Sequence, residues 1–225
     1  MKMARKSGMR LCSYTVVHDT GFAPNPFGGY CTLAACTPNH QGINLSRGDW
    51  LVGHATAKRA HRLIYAMKVF DALDFDTYYN DSRFESKKPR FDRTWREACG
   101  DNIYYLTDGG VWMQHPTNFH DDPESRAQDT RNPRVFVSKH FHYFGANAPK
   151  IPKQFSPFIR DRQGCKCDYP VQLVKTFVKW LEMNFTPGVL GEPFDFIPIQ
   201  TPTRITHHPN ALAQVRQVCV PDCNH

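Results

Sequence analysis

The first part of the chain is a series of short apolar segments separated by Gly, Pro and Asn. These segments span 10–17, 31–36, 49–54 and 63–70, and they contain many β-branched and aromatic residues. Such a pattern predicts short β-strands joined by turns. In the last segment both alternating faces are mostly apolar, which favours a strand covered on both sides, as in a barrel wall with other elements packed outside it.

One clear helix is predicted late in the chain. It begins at Pro170, which suits a first helical position, and apolar residues recur at helical spacing until Pro187 and Gly188 end it. Shorter elements are predicted between these two regions. They are a helix over 75–80, strands over 102–106 and 111–114 joined by the turn at 107–110, one long strand over 134–144, and two helical turns within 38–45.

The charge distribution favours a polyanionic partner. The chain has 28 Lys plus Arg against 21 Asp plus Glu, for a formal charge of +7. Residues 82–96 hold six cationic side chains interleaved with Phe84, Phe91 and Trp95, whereas residues 101–130 hold six carboxylates and one arginine. Cations bind phosphates by releasing counterions, and aromatic rings stack on unpaired bases. The alternative is that residues 82–96 form a solvated loop.

Several classes of protein are not expected. No apolar run approaches the roughly 20 residues of a membrane-spanning helix, so no membrane partner is predicted. The basic N-terminus turns polar at Ser13 and lacks the apolar core of a secretory signal, which predicts a cytoplasmic protein with reduced cysteines. The motifs GxxxxGK[ST], GxGxxG, GxSxG and the zinc-deaminase HxE with PCxxC are missing from the sequence, and no cofactor is expected.

Two cysteine pairs raise the question of a zinc site. Cys165 and Cys167 form one pair, and Cys219 and Cys223 form another beside His225. Thiolates and imidazole suit tetrahedral zinc, but a CxC pair is not the usual CxxC knuckle and the second pair lies at the end of the chain. The prediction is therefore no metal, with these cysteines unligated.

Candidate binding residues lie in loops and at the ends of strands. The loop over 19–27 is stiffened by two prolines and has polar tips at Asp19 and Asn25, although Phe22 and Phe27 also suit a structural turn that closes a barrel end. Amide and carboxylate groups can pair with base edges, and aromatic rings can stack on bases. We assign phosphate contacts to Arg83, Lys87, Lys88, Arg90 and Arg93, polar contacts to Asp19, Asn25, Asp49, Asp101, Asn102 and Gln114, and base stacking to Trp50, Trp112 and Tyr143.

Five segments carry a resemblance to a known family. They are GFAPNPF at 21–27, CTLAAC with TP at 31–38, GDWLVG at 48–53, LIYAMKV at 63–69 and YFGANAPKIP at 143–152. In this order, from about residue 12 to about residue 190, the chain resembles the nucleotide modification associated domain 2 family. The resemblance implies a setting in systems that modify bases in DNA, often in phages and bacteria, with DNA or a nucleotide and other DNA-modification proteins as partners.

Residues 29–80 are also similar to PUA-like domains of the ASCH and EVE type. There a Gly-Asp turn, as at Gly48 and Asp49, begins a barrel strand. This similarity implies a PUA-like mixed β-barrel with short helices outside it, whose pocket receives a flipped or single nucleotide. With the one amphipathic C-terminal helix predicted after Pro170, the expected fold class is α+β. We therefore expect one domain over 1–190 and an extended, proline-rich tail over 191–225.

The leading interpretation is a protein that binds nucleic acid or a nucleotide and recognises or helps process modified DNA bases. One alternative is an enzyme that itself modifies a base or nucleotide, with Asp19 or Asp81 as general base and His120 as acid. A second alternative is a scaffold whose basic face meets an acidic protein.

Overall fold

The computed structural model describes residues 8–35, 42–120, 122–160, 162 and 164–195. These residues form a mixed α+β protein, as predicted. The strands are β1 (Leu11–Val16), β2 (Cys31–Leu33), β3 (Trp50–Ala55), β4 (Leu63–Lys68), β5 (Asp71–Leu73), β6 (Tyr104–Leu106), β7 (Trp112–Gln114), β8 (Val135–Ser138), β9 (His140–Tyr143) and β10 (Gly188–Val189). The α-helices are α1 (Phe75–Asn80), α2 (Trp95–Ala98), α3 (Pro123–Asp129) and α4 (Val171–Asn184).

Four short 3-10 helices connect these elements. They span Ala57–Arg59, Ser82–Lys87, Gly145–Asn147 and Lys153–Phe158. No helix within the described ranges combines the length and apolar character needed to cross a bilayer.

The central element is a five-stranded sheet in the order β1-β3-β4-β9-β10. β1 runs parallel to β3 and β10 runs parallel to β9, while β3, β4 and β9 pair antiparallel. Every residue of β4 except Lys68 is buried, so both faces of this strand are covered as its apolar pattern predicts. At Gly53 in β3 a Cβ atom would lie 2.3 Å from a ring carbon of Tyr65, which shows how closely β4 packs there.

The prediction of a closed barrel is corrected by the structure. Among the described residues the strands form three separate sheets, the central one, a second in the order β2-β8-β5 and the β6-β7 hairpin, and none of them closes. The structure therefore gives no support to the PUA-like interpretation.

The prediction of one long strand over 134–144 is also wrong, because the chain passes from one sheet to another within this range. β8 pairs with β2 and β5, whereas β9 pairs with β4. The hydroxyl of Ser138 donates to the carbonyl of Lys68 at 2.7 Å and accepts from the backbone N–H of His140 at 3.1 Å. This side chain supplies hydrogen bonds at the bend, where a continuous ladder would otherwise supply them.

The core has two parts. In the first, α4 covers the central sheet through Val174, Phe177 and Leu181, and the rings of Phe155 and Phe158 pack against Phe177. The second part lies between the β2-β8-β5 sheet, α1 and the β6-β7 hairpin. Its buried residues include Phe22, Phe75, Tyr78, Phe84, Ile103, Tyr104, Val135 and Val137.

Most local predictions match. α1 spans the predicted 75–80, and Asp74 caps it by accepting from the N–H of Thr77 at 2.7 Å. α4 begins at Val171, one residue after the predicted start. Residues 42–45 are not helical, and 38–41 lie outside the described residues. Residues 196–225 also lie outside them, so a domain boundary at 190 stays a prediction.

Candidate functional site

A cleft of about 870 Å³ lies where three distant parts of the chain meet. The first is the turn after the GFAPNPF segment, the second is α2, and the third is the segment 188–195, which we name the strap. Its lining residues are Pro26, Phe27, Gly28, Gly29, Ser86, Arg96, Glu97, Phe141, Ala146, Asn147, Val189, Leu190, Gly191 and Glu192. Two of the most family-like segments, GFAPNPF and YFGANAP, thus contribute to one cavity wall.

The strap is fixed along the YFGANAP segment by backbone and amide hydrogen bonds. The N–H of Ala146 donates to the carbonyl of Glu192 at 2.8 Å, and the side-chain amide of Asn147 donates to the carbonyl of Leu190 at 2.7 Å. Gly145 has φ +51°, and a Cβ atom there would lie 2.0 Å from the carbonyl oxygen of Glu192. Glycine is therefore required where the strap closes the cleft.

Aromatic and cationic groups meet at the α2 wall of the cleft. The rings of Phe27 and Trp95 make an edge contact with centroids 5.4 Å apart. The guanidinium carbon of Arg96 lies 5.7 Å from the Phe27 ring centroid and 5.2 Å from the Trp95 centroid. This arrangement combines a flat apolar surface with a fixed positive charge.

Two carboxylates balance that charge. Arg96 forms an ion pair with Glu192 of the strap, and both side chains are about half exposed. Glu97 accepts from the N–H and hydroxyl of Thr94 in a capping box at the start of α2. Hydrogen bonds from Thr94 lower the pKa of Glu97, which keeps this carboxylate ionised. The cleft therefore presents one guanidinium and two hydrogen-bond-accepting carboxylates.

Lys87 lies behind the GFAPNPF segment and is 1% exposed. Its ammonium donates to Oδ1 of Asn25 at 2.7 Å, to the carbonyl of Asn25 at 2.9 Å and to the carbonyl of Tyr30 at 2.7 Å. Burial lowers the pKa of Lys87 to about 8, although the charge of Asp101 opposes this. Lys87 is therefore buried and holds the loop in place through its hydrogen bonds. Its position in a basic stretch predicts an exposed phosphate contact instead.

Asp101 and Asn102 are equally buried. Asp101 accepts from the hydroxyls of Thr32 and Tyr78, each at 2.7 Å, and burial raises its pKa in spite of the nearby Lys87. The side-chain amide of Asn102 donates to the carbonyls of Tyr78 and Phe84. These groups, expected to contact a ligand, hold α1 and the 82–87 helix against β2.

A buried acid joins the strap to the core. Asp19 is 1% exposed, accepts from the hydroxyl of Tyr143 at 2.5 Å and accepts from the N–H of Phe194 at 2.9 Å. Desolvation by burial raises the pKa of Asp19 to about 6. The adjacent Asp195 pairs with Arg59. Burial raises the pKa of Asp195, but the hydrogen bonds from Arg59 and from the N–H of Asp19, together with the charge of Arg59, outweigh burial and lower it.

The exposed cations of the 82–96 segment have acidic partners close to them. Arg83 pairs with Asp81, and Lys88 pairs with Glu85. Arg90 and Arg93 lie 3.8 Å from carboxylate oxygens of Asp92 and Glu97, respectively, and both are exposed. Much of the positive charge expected on this segment is therefore neutralised locally.

The predicted stacking and base-edge residues are dispersed. Trp50 is 1% exposed and makes an edge contact with His140. Tyr143 is buried and donates its hydroxyl to Asp19, and Trp112 makes an edge contact with Phe75. Asp49 accepts from the backbone N–H groups of Arg10 and Ser46 at the turn before β3, and Gln114 donates to the carbonyl of His120 at 2.6 Å. None of these residues lines the cleft.

The three candidate catalytic residues lie apart. Asp81 caps the 82–87 helix and pairs with Arg83, whose hydrogen bond lowers the pKa of Asp81. His120 places its Nδ1 atom 2.7 Å from Oδ2 of the buried Asp129, and the hydroxyl of Tyr104 donates to the same oxygen at 2.8 Å. Asp19 is nearest to the cleft through its bonds to the strap.

The cysteines require one correction. Cys12 and Cys167 form a disulfide, whereas we expected all thiols to be reduced. The thiol of Cys165 is unbonded, and burial raises its pKa. In the described part of the chain no group of three or more His, Cys, Asp or Glu residues is arranged to hold a metal ion. Cys219 and Cys223 lie outside that part.

Sequence reasoning missed most of the cleft residues. Arg96 and Trp95 were part of the basic segment, but nothing local distinguishes them from Arg93 or Arg90. The link from Arg96 to Glu192 spans 96 residues, so only the fold brings the two together. A usable signal was the position of Phe27 at the end of the GFAPNPF motif.

The fold and the cleft define a mixed α+β protein with a ligand-sized cavity built by its most characteristic motifs. The model of nucleotide modification associated domain 2 matches residues 9–199, and the chain belongs to this family. Membership places the chain in the context of nucleotide or DNA modification. No curated protein and no solved structure matches the chain.

Proposed function

We propose that the cleft binds a nucleotide and that the protein recognises or helps process modified bases of DNA. The observation that carries this proposal is the convergence of Phe27, Arg96 and Glu192 on one cavity whose wall is built by the GFAPNPF and YFGANAP segments. Its volume of about 870 Å³ lies within the range of small-molecule sites. The family's nucleotide-modification context supports the same conclusion.

Each wall of the cleft has chemistry that suits part of a nucleotide. Phe27, supported by Trp95, offers an aromatic surface for a base. The guanidinium of Arg96 offers a planar donor set for a phosphate. Glu97 and Asn147 offer acceptor oxygens for the amino groups of a base edge, in the way that carboxylates accept from cytosine N4.

Calorimetric titration with the four deoxynucleoside monophosphates and with 5-hydroxymethyl-dCMP tests this proposal. Phe27→Ala and Arg96→Gln should each weaken binding by about tenfold, because a stacked base or a charge-assisted hydrogen bond contributes about 1–3 kcal/mol. Arg131→Gln is the matched control, since it removes the same charge from an exposed residue outside the cleft. Equal losses in all three variants, or no binding by the unaltered protein, would contradict the proposal.

A second candidate, an enzyme that alters the base, is favoured by Asp19. A carboxyl whose pKa is raised to about 6 suits proton transfer near neutral pH. Because Phe194 and Tyr143 occupy both of its oxygens, the strap would have to move before Asp19 reached a ligand.

Mass spectrometry of nucleosides from DNA incubated with the protein and with likely group donors separates the two functions. A new nucleoside mass that disappears in Asp19→Asn, while that variant still binds nucleotides, supports the enzyme. A new mass that persists in Asp19→Asn excludes Asp19 as the base, and unchanged nucleosides support a binding protein.

A further inference from the structure

Two stretches of the sequence hold cations without any carboxylate. Residues 50–70 include Lys58, Arg59, Arg62 and Lys68, and residues 132–160 include Arg134, Lys139, Lys150, Lys153 and Arg160; neither stretch contains Asp or Glu. The 82–96 segment differs, because its exposed cations have acidic partners. Uncompensated positive charge is therefore found outside the segment that looks most basic in the sequence.

The fold brings parts of these two stretches together. The N–H of Leu63 donates to the carbonyl of Pro149 at 3.0 Å, and the guanidinium of Arg62 donates to the carbonyl of Ala148 at 2.8 Å. The backbone N–H of Arg160 donates to Nε2 of His54 at 2.8 Å. We name the surface formed by Lys58, Arg62, Lys150, Lys153 and Arg160 the basic face.

The charges of the basic face are available to a partner. Lys58, Lys150 and Lys153 are exposed, while Arg62 and Arg160 are partly buried. Among the residues that the structure describes, no carboxylate forms an ion pair with any of these five cations. Such a surface attracts polyanions and holds a layer of counterions that a bound phosphate chain would release.

The basic face begins at the wall of the cleft. Ala146 and Asn147 line the cleft, and Ala148 and Pro149, which contact Arg62 and Leu63, follow directly. Lys150 is only three residues from Asn147. A strand of nucleic acid that placed one base in the cleft would therefore have its neighbouring phosphates within the reach of this surface.

We propose that the basic face binds the phosphate backbone of a nucleic acid strand whose base enters the cleft. The inference rests on the proposed function and narrows it, because it makes the ligand a polynucleotide instead of a free nucleotide. Phosphate contacts supply position and much of the affinity, while the cleft supplies recognition of the base. The protein would therefore bind an oligonucleotide far more tightly than it binds the corresponding mononucleotide.

The test uses the triple variant Lys58→Gln, Lys150→Gln, Lys153→Gln and a labelled 12-nucleotide single strand, with a duplex of the same sequence in a parallel titration. Binding is followed by fluorescence anisotropy at several salt concentrations. Three lost phosphate contacts should reduce the slope of log K against log salt by about 2 for a single strand and weaken binding by about tenfold or more. Binding of the mononucleotide in the cleft should not change.

The matched control is Lys166→Gln, Lys175→Gln, Lys179→Gln, which removes the same charge from exposed lysines elsewhere. An equal loss in this control would show that net charge alone is responsible and would overturn the proposal. Binding of polyglutamate as tightly as the oligonucleotide would also overturn it in favour of an acidic protein partner. If Phe27→Ala loses mononucleotide binding while the triple variant binds the oligonucleotide as tightly as the unaltered protein, the basic face is refuted and the cleft is not. If no form of the protein binds a mononucleotide, the cleft is refuted.

Discussion

The ammonium of Lys87 donates a hydrogen bond of 2.7 Å to Oδ1 of Asn25, 62 residues earlier in the chain. Asn25 in turn donates from its Nδ2 to the carbonyl of Cys99 at 2.8 Å, just after α2. One buried amide therefore links the GFAPNPF segment to both the 82–87 helix and α2. Because Phe27 and Arg96 line the cleft from the GFAPNPF segment and from α2, the Asn25–Cys99 hydrogen bond links two of its walls, and Lys87 holds Asn25 in place for that bond.

Lys87→Met should destabilise the protein by about 3 kcal/mol or more, because it removes three buried, charge-assisted hydrogen bonds to oxygens of Asn25 and Tyr30. The adjacent Lys88→Met should cost about 1 kcal/mol or less, since the Lys88 ammonium pairs with Glu85 at the surface. Urea denaturation of both variants measures the difference. Equal losses of stability in the two variants would mean that the buried hydrogen bonds of Lys87 do not stabilise the fold.

The contrast between Lys87 and Lys88 shows what the sequence can and cannot predict. α1 over 75–80 and α4, with its apolar repeat beginning at Val171, follow from local patterns, and both are found close to where the sequence predicts them. Two neighbouring lysines have the same local pattern, yet one is buried and one is not. Burial depends on what the rest of the chain places over a residue, and no local property of the sequence contains that information.

The same limit explains the errors at the level of sheets and the dispersal of the predicted site residues. The residues 134–144 have uniform β-propensity, but the hydroxyl of Ser138 allows a bend that divides them between two sheets. The sequence predicts the short strands, whereas the closed barrel depends on strand pairings that are not made among the described residues. Trp50 and Tyr143 suit base stacking by type, yet their large apolar rings also suit a core, and both side chains are buried in this one.

Asp19 predicts a pH dependence of stability with a definite sign. Its pKa is raised from 3.8 to about 6, so between these pH values the folded state holds a proton that the unfolded state has lost. Stability should therefore fall as the pH rises through this window, by about 3 kcal/mol in total from this group. Asp19→Asn should remove that fall, and urea titrations between pH 4 and pH 7 measure it.

Asp81→Asn is the comparison for this prediction. The hydrogen bond from Arg83 lowers the pKa of Asp81, so the stability it contributes is present above the unfolded pKa and is lost as the pH falls. Because this loss takes place below about pH 4, Asp81→Asn should leave the slope between pH 4 and pH 7 nearly unchanged, whereas Asp19→Asn should alter it. A slope that is the same in Asp19→Asn and the unaltered protein would show that Asp19 has an ordinary pKa.

Gly145→Ala should detach the strap. The new Cβ would lie 2.0 Å from the backbone carbonyl of Glu192, and a backbone atom cannot rotate away as a side chain can. With the added cost of a positive φ, the loss of stability should be about 2–4 kcal/mol, and nucleotide binding should weaken with it. Denaturation and titration of the same sample measure both effects.

Gly110→Ala is the matched control for Gly145→Ala. Gly110 also has a positive φ, of +74°, but a Cβ atom there would meet no atom within 4 Å. Gly110→Ala should lower the stability by only about 1–2 kcal/mol, the cost of a positive φ, and should leave nucleotide binding unchanged. Strong binding by Gly145→Ala would show that the cleft does not need the strap.

Glu192→Gln should strengthen binding of a nucleoside monophosphate by about two- to fivefold, because the Arg96–Glu192 ion pair competes with the ligand's phosphate. Both side chains are about half exposed, and exposed ion pairs contribute about 0.2–1 kcal/mol, which sets the size of the effect. Binding of the uncharged nucleoside should not improve, and the gain should disappear when Arg96→Gln is added. Glu182→Gln removes a carboxylate of α4 that pairs with His140, and it should change the affinity for neither the nucleotide nor the nucleoside. Weaker binding by Glu192→Gln would instead make Glu192 a ligand contact that accepts from the base, and calorimetric titration of the nucleotide and nucleoside in parallel distinguishes these two roles.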